Sequence, residues 1–129
     1  MFNPKFEPML ISDEKKLKDI QREFHEKFPF LKLEFYSEEH GVGEGSGKKT
    51  LINPEKTIGE VRKVHTAGDL SINGHIKVKN LEEKFHEIYG LNVQVFRKSS
   101  GEIWLQTIST DDWTLSAQNE RAAEYLKQD

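Results

Sequence analysis

The residues of this chain whose types could do chemistry are five histidines, an adjacent Asp111-Asp112 pair, an adjacent Ser99-Ser100 pair and a glycine-rich run near residue 45. Two imidazoles four residues apart on a helix would hold zinc, but no His-x-x-x-His spacing occurs. The chain has no cysteine, so thiolate ligation and disulfides are excluded. No metal and no cofactor is expected. His40-GVGEGSGKKT has the look of a phosphate loop, yet Val42 stands where the first glycine of that motif belongs and Lys49 replaces the hydroxyl residue. A loop between strands is the better reading, with Lys48 and Lys49 able at most to hold an anion weakly. Asp111-Asp112 reads as charge placed at the positive end of a last helix beginning near Thr110. Ser99-Ser100 falls at a turn tip without a Gly-x-Ser-x-Gly elbow. That leaves His75 as the one imidazole expected on an open sheet face, where a general base would need a partner that the sequence does not supply. No catalytic residue is assigned, and the balance is against an enzyme.

The remaining chemistry is recognition. Phe96 and Trp104 lie on two strands that alternate apolar and polar residues, among Asn92, Gln94, Gln106, Ile108, His75 and Tyr36. A half-exposed aromatic pair rimmed by amides suits a contact surface. It also serves as an ordinary cross-strand pair stabilising a hairpin by about 1 kcal/mol. Those two readings stand level on sequence alone.

The elements that must position these side chains follow from periodicity. Phe6 to Ile11 is a short strand kept to an edge by Pro8. Ser12 reads as an N-cap before Leu17, Ile20, Phe24 and Phe28 at helical spacing, with Pro29 ending the helix. Leu31, Leu33 and Phe35 alternate with Lys32, Glu34 and Tyr36 as a strand. After the glycine-rich loop, Thr50-Leu51-Ile52 is a brief strand, and Asn53-Pro54 starts a short helix over Ile58, Val61 and Val64. The same order then recurs. A strand runs from Leu70 to Val78, broken at Gly74. Next comes a helix capped by Asn80, carrying Leu81, Phe85 and Ile88 and stopped by Gly90, followed by the hairpin 91–109 and the last helix.

Residues 16–28 laid on 77–89 match at Lys16, Lys18, Phe24, His25 and Glu26. Leu31-Lys32-Leu33-Glu34-Phe35 then falls on Leu91-Asn92-Val93-Gln94-Val95 after one deletion. The expected fold is therefore α+β and a single domain spanning 1–129. Two pseudo-symmetric strand-helix-strand-strand-helix repeats, about 6–66 and about 69–127, form one mainly antiparallel sheet of about six strands with helices on one face. In the hairpin, a three-residue loop with Gly101 left-handed would pair Lys98 with Glu102. Phe96 would then face Trp104, Gln94 face Gln106, and Val95 face Leu105.

Composition bounds the rest. Charged residues make up 32% and the net charge is −3, which gives no general attraction to nucleic acid or anionic membrane. Eight phenylalanines in strict patterns argue for a packed core despite the polar total. The N-terminus lacks a secretory signal and no window is apolar enough to span a bilayer. A cytoplasmic location follows as the expectation. Gly90-Leu91-Asn92-Val93-Gln94-Val95-Phe96-Arg97-Lys98, with Trp104-Leu105-Gln106-Thr107 and Thr110-Asp111-Asp112-Trp113-Thr114-Leu115, resembles a C-terminal segment of a group of small uncharacterised bacterial proteins. The likeness spans roughly residues 69–120. It implies a bacterial cytosolic origin and no activity.

The functional expectation is a non-enzymatic module that meets a protein partner or its own copy through Phe96, Trp104 and their neighbours. The alternatives are single-stranded nucleic acid stacking on that face with Lys32, Lys77, Arg97 and Lys98, or a small ligand or substrate at His75.

Overall fold

A computed structural model describes residues 7–38, 45, 47 and 50–127. The elements run β1 (Met9–Ile11), α1 (Leu17–Lys27), β2 (Leu31–Tyr36), a 3-10 turn (Gly59–Val61), β3 (Gly68–Leu70), α2 (Val78–Tyr89), β4 (Asn92–Lys98), β5 (Trp104–Gln106) and α3 (Leu115–Lys127). The class is α+β, as the alternation of strand and helix periods requires. Among the described residues no helix is long and apolar enough to cross a membrane.

Both long helices bury most of the stripe that their spacing dictates, except that Ile88, expected on the inner face of α2, is 46% exposed and Tyr89 is buried in its place. Leu17, Ile20 and Phe24 of α1, and Val78, Leu81 and Phe85 of α2, are fully buried. Phe35 of β2 meets Phe85 edge-on at 6.3 Å, so the second half's helix packs on the first half's strand. Gly90 closes α2 in the left-handed conformation at φ +66°, with its N–H and that of Leu91 returning to His86 O and Phe85 O.

Helix starts differ from the sequence reading. Neither Ser12 nor Asn80 caps a helix: α1 and α2 follow Lys16 and Lys77, and neither cap makes a side-chain bond. Tight turns at 13–16, 54–57, 74–77 and 111–114 precede α1, the 3-10 turn, α2 and α3, and they join in pairs. Lys16 bridges Thr57, flanked by Leu17 N to Lys56 O (3.0 Å) and Ile58 N to Lys15 O (2.8 Å). Lys77 bridges Thr114, flanked by Val78 N to Trp113 O (3.0 Å) and Leu115 N to Ile76 O (2.9 Å). Each pairing also has an outer bond, Gly59 N to Asp13 O and Ser116 N to Gly74 O. These turns satisfy the exposed N–H groups of the first helical residues with backbone carbonyls, which is why side-chain caps are dispensable. The strand expected from Leu70 to Val78 consequently ends at Leu70. Asp111-Asp112 sits in a turn whose Asp111 carbonyl accepts from Lys79 N at 2.7 Å, and not in a helix's first turn.

The single sheet expected from sequence is two. β1 and β3 pair antiparallel, and β2, β4 and β5 form a three-stranded antiparallel sheet in the order β2-β4-β5. All three residues of β1 pair with all three of β3. Thr50-Leu51-Ile52 forms only a bridge, Tyr36 to Leu51, on the outer edge of β2. The rest of that edge is closed by α1. Gln21 Nε2 donates to Leu33 O at 2.9 Å, and His25 Nδ1 lies 2.9 Å from Leu31 O, which makes that nitrogen the donor.

In the registers, Met9 lies opposite Leu70 and Glu34 opposite Gln94. Glu34 and Gln94 are the very residues that the alignment of the halves superposes, and continuing the alignment back from Lys16 and Lys77 superposes Met9 on Leu70. A twofold relation between halves would give such self-matched pairs, but the two expected strand-helix-strand-strand-helix repeats do not match element for element: the first half has only a bridge and a 3-10 turn where the second has β5 and α3.

The hairpin is shifted by two residues from the expected register. Lys98 pairs with Trp104, Arg97 with Leu105 and Phe96 with Gln106. The loop is five residues, closed by Ser99 N to Ile103 O (2.8 Å), with Gly101 left-handed at φ +57°. A two-residue slip leaves every side chain on its own face, so apolar patterning cannot detect it. The deciding contact is Thr107, buried beside Val95, whose Oγ1 donates to Val95 O at 2.9 Å.

Candidate functional site

Phe96, Trp104, Gln94, Gln106, Asn92 and Tyr36 do share one face of the larger sheet, the side away from the core residues Leu31, Leu33, Phe35, Val93 and Val95. The face is not uniformly open. Gln94 is 1% exposed and Tyr36 is 5%, so neither offers a contact surface. Gly45 of the glycine-rich loop lies against Gln106 and Ile108: a Cβ there would be 2.6 Å from each side chain. Gly45 thus lies at the end of β5. The question of a phosphate site at His40, Lys48 and Lys49 lies outside the described residues.

Burial, and secondarily Glu34, pushes the Tyr36 phenol up to about 12. Its folded value stands above the unfolded value near 10, so Tyr36 stabilises the fold fully below about pH 10 and loses that contribution as pH rises through the folded value. A spectrophotometric titration at 295 nm should contain a late phenolate component, and Tyr36→Phe should lack it. A Tyr36→Phe curve with the same late component would remove this assignment.

What remains accessible is a compact group at one end of the face. Phe96 and Trp104 are both half-buried. The Lys32 ammonium sits 5.3 Å from the Phe96 ring centre and 5.0 Å from that of Trp104, while Lys98 Nζ lies 5.9 Å from Trp104. His25 reaches Trp104 edge-on at 6.3 Å. Register explains the group: Lys32 faces Phe96 across β2-β4, and Lys98 faces Trp104 across β4-β5. Lys32 is also within 3.4 Å of Glu34, the one acid on this stretch, which takes a second bond from Gln21.

Three expected contributors are elsewhere. Arg97 points to the opposite face, bonded to Gln118 Oε1 at 2.9 Å and lying over Trp113. Burial first, then Arg121 nearby, lowers its pKa. Lys77 is in the turn before α2. His75 is not on the sheet at all. It sits in the turn at 74–77, its N–H bonded to Asn73 Oδ1 at 2.8 Å, beside a shallow groove of about 430 Å³ formed with Asn80, Glu83, Lys84 and Glu87. The strand expected to carry it ends at Leu70, five residues before His75. Among the described residues no cluster of three or more metal-ligating side chains occurs.

The chain matches no protein-family model, no curated protein and no solved structure. Geometry alone must carry its function.

One polar constellation escaped the sequence reading. Asp13 accepts from Arg62 Nε (3.1 Å) and Nη2 (2.8 Å) on one oxygen and from His65 Nδ1 (2.8 Å) on the other. The guanidinium is fully buried and also donates to Tyr89 O at 3.0 Å. An Asp-oriented imidazole is half of a general-base arrangement. No nucleophile accompanies it in the described contacts, and its evident work is to fasten the 62–67 connection between the halves to the first turn. No spacing rule could have found it, since the partners are about fifty residues apart.

Proposed function

We propose that the chain is a non-enzymatic protein-binding module, and that the Lys32–Phe96–Trp104–Lys98 group is its contact surface. The observation that carries this is two half-exposed rings with two lysine ammoniums within 6 Å of them, next to an imidazole. Cations around an aromatic floor attract an acidic partner surface and let it desolvate against the rings. A second copy is a poorer occupant, because a twofold contact through this group would set lysine against lysine. A bacterial cytosolic setting accords with the resemblance of residues 69–120 and with a chain free of cysteine. Duplication of an ancestral half accords with the matched turn pairs and the self-matched strand pairs.

The test uses Trp104 as its own reporter. In a Trp113→Phe background, titration with a short peptide of alternating glutamate and phenylalanine should shift the remaining indole emission saturably, and Lys32→Glu should abolish the shift. Trp104→Ala should stay folded at a cost of about 1 kcal/mol, since its ring is half-exposed. Loss of several kcal/mol would make it a core residue and sink the proposal. The lysines favour a second reading, stacking of single-stranded nucleic acid. A steeply salt-dependent response to oligo-U, with none to the peptide, would replace the first reading with it. A light-scattering mass of two chains, reduced to one by Lys32→Glu, would likewise hand the face to a second copy.

A further inference from the structure

The alignment of residues 16–28 on 77–89 also sets the outer face of α1 beside that of α2, and the two faces are finished differently. On α1, Asp19, Arg22, Glu23 and Glu26 are paired within the chain. Arg22 reaches Asp19 at 2.9 Å and Glu26 at 3.8 Å, and Lys15 reaches Glu23 at 2.6 Å. The matching positions of α2 are Asn80, Glu83, Lys84 and Glu87, all exposed. Their spacing of three, four and seven residues puts them on one side of the helix, opposite the buried Val78, Leu81 and Phe85. No ion pair joins Lys77, Glu83, Lys84 or Glu87 to another described residue.

The residues that flank this set differ as well. Lys15 and Lys27 of the first half correspond to Ile76 and Ile88 of the second. Ile88 is exposed and Ile76 only partly buried. Both line the groove of about 430 Å³ beside His75, one just before α2 and one in its last turn. One helix thus satisfies its outer charges from its own half, and the other presents unpaired charges of both signs between two apolar side chains.

From this we infer that α2 docks on the α2 of a second copy, antiparallel and about a twofold axis at the level of residue 82. Ile76 and Ile88 lie equally far from that level, and so do Lys77 and Glu87. The axis therefore brings Ile88 onto Ile76 of the partner subunit and Glu87 onto Lys77 of the partner subunit, each contact made twice. Glu83 and Lys84 sit beside the axis, where each approaches the other's opposite charge. A parallel contact would instead set Glu87 on Glu87 and Lys77 on Lys77. Exposed ion pairs contribute little each, so the isoleucines supply most of the attraction and the charges fix its direction. A single helix face is at the small end of specific interfaces, which makes the dimer weak and reversible. Phe85 seats α2 on Phe35, on the core side of the larger sheet, while the Lys32 group lies on the other side. Dimerisation leaves both aromatic surfaces open, and neither proposal depends on the other.

Sedimentation velocity of the full chain between about 1 μM and about 1 mM is the test. The mean mass should rise with concentration from one chain towards two. Lys77→Glu and Glu87→Lys should each weaken association at least tenfold, because each sets like charges together at both ends of the contact. Mixed in equal amounts, the two variants should associate again, since every glutamate then faces a lysine. Ile88→Lys, which gives α2 the residue of α1, should leave the mass at one chain and the protein folded. A parent that remains one chain throughout the range would overturn the inference. So would a dimer that survives all three substitutions, or a mixture that stays monomeric. A dimer lost with Lys32→Glu and kept by Ile88→Lys would move the contact to the aromatic face and overturn the inference equally.

Discussion

Phe85→Ala is expected to cost about 3–5 kcal/mol in chemical denaturation, enough to leave a domain of ordinary stability partly unfolded. Phe85 is fully buried, and its ring meets Phe35 edge-on at an interplanar angle of 89°. Its loss opens a cavity between α2 and β2, elements of different halves, where a rigid sheet cannot collapse to refill the space. The equivalent Phe24→Ala should cost a similar amount, because Phe24 is also fully buried and packs on Phe28 at 5.5 Å. A measured loss below about 1 kcal/mol for Phe85→Ala would show that the halves do not lean on each other there.

The second large effect is expected at Arg62. Arg62→Ala removes a buried guanidinium, its hydrogen bond to Tyr89 O and its pair with Asp13, and should destabilise by about 2–3 kcal/mol at pH 7. The pH dependence tests the mechanism. Arg62 first, and then His65, hold the Asp13 carboxyl below its ordinary value. A depressed carboxylate contributes its stability above the unfolded pKa near 4 and loses it as pH falls through the folded value. The gap between parent and variant should therefore shrink between about pH 4 and pH 2, leaving only the part that the Tyr89 bond and packing carry. Urea midpoints at pH 7 and pH 2.5 measure it. A gap unchanged by acid would mean that the Asp13 pair adds nothing to folding. Asp13→Asn should reproduce the acid behaviour of the parent at every pH.

These expectations rest on features of unequal legibility. The helix stripes, Gly90 as a stop and the faces of β2 and β4 were readable because each is a local periodic demand that burial enforces. The Phe96–Trp104 face was readable for the same reason, but its true partners were not. Lys32 and His25 reach it from β2 and α1, and a register slip of two moved Gln106 opposite Phe96 without altering any face. The placement of His75 fails because Ile72, Ile76 and Val78 alternate like a strand, while Val78 N donating to Trp113 O and Leu115 N donating to Ile76 O commit that stretch to a turn and helix. Such long-range backbone pairings leave no residue-type signal. The two-sheet division was hidden for a plainer reason: strands of three residues are shorter than any pattern that could assign them to one sheet or another.

Both sheets are stitched across the midpoint of the chain, β1 to β3 and β2 to β4, so neither half can complete a sheet from its own residues. The strands that must meet are some sixty residues apart in sequence. Their closure comes late and slowly, and it comes as one event. Folding should consequently be a single cooperative transition with no stable half-folded species. A fragment of residues 67–127 would carry two unsatisfied strand edges, and its route to order is to find another strand to pair with. The antiparallel pairings that join β1 to β3 and β2 to β4 then become the template by which two such fragments associate.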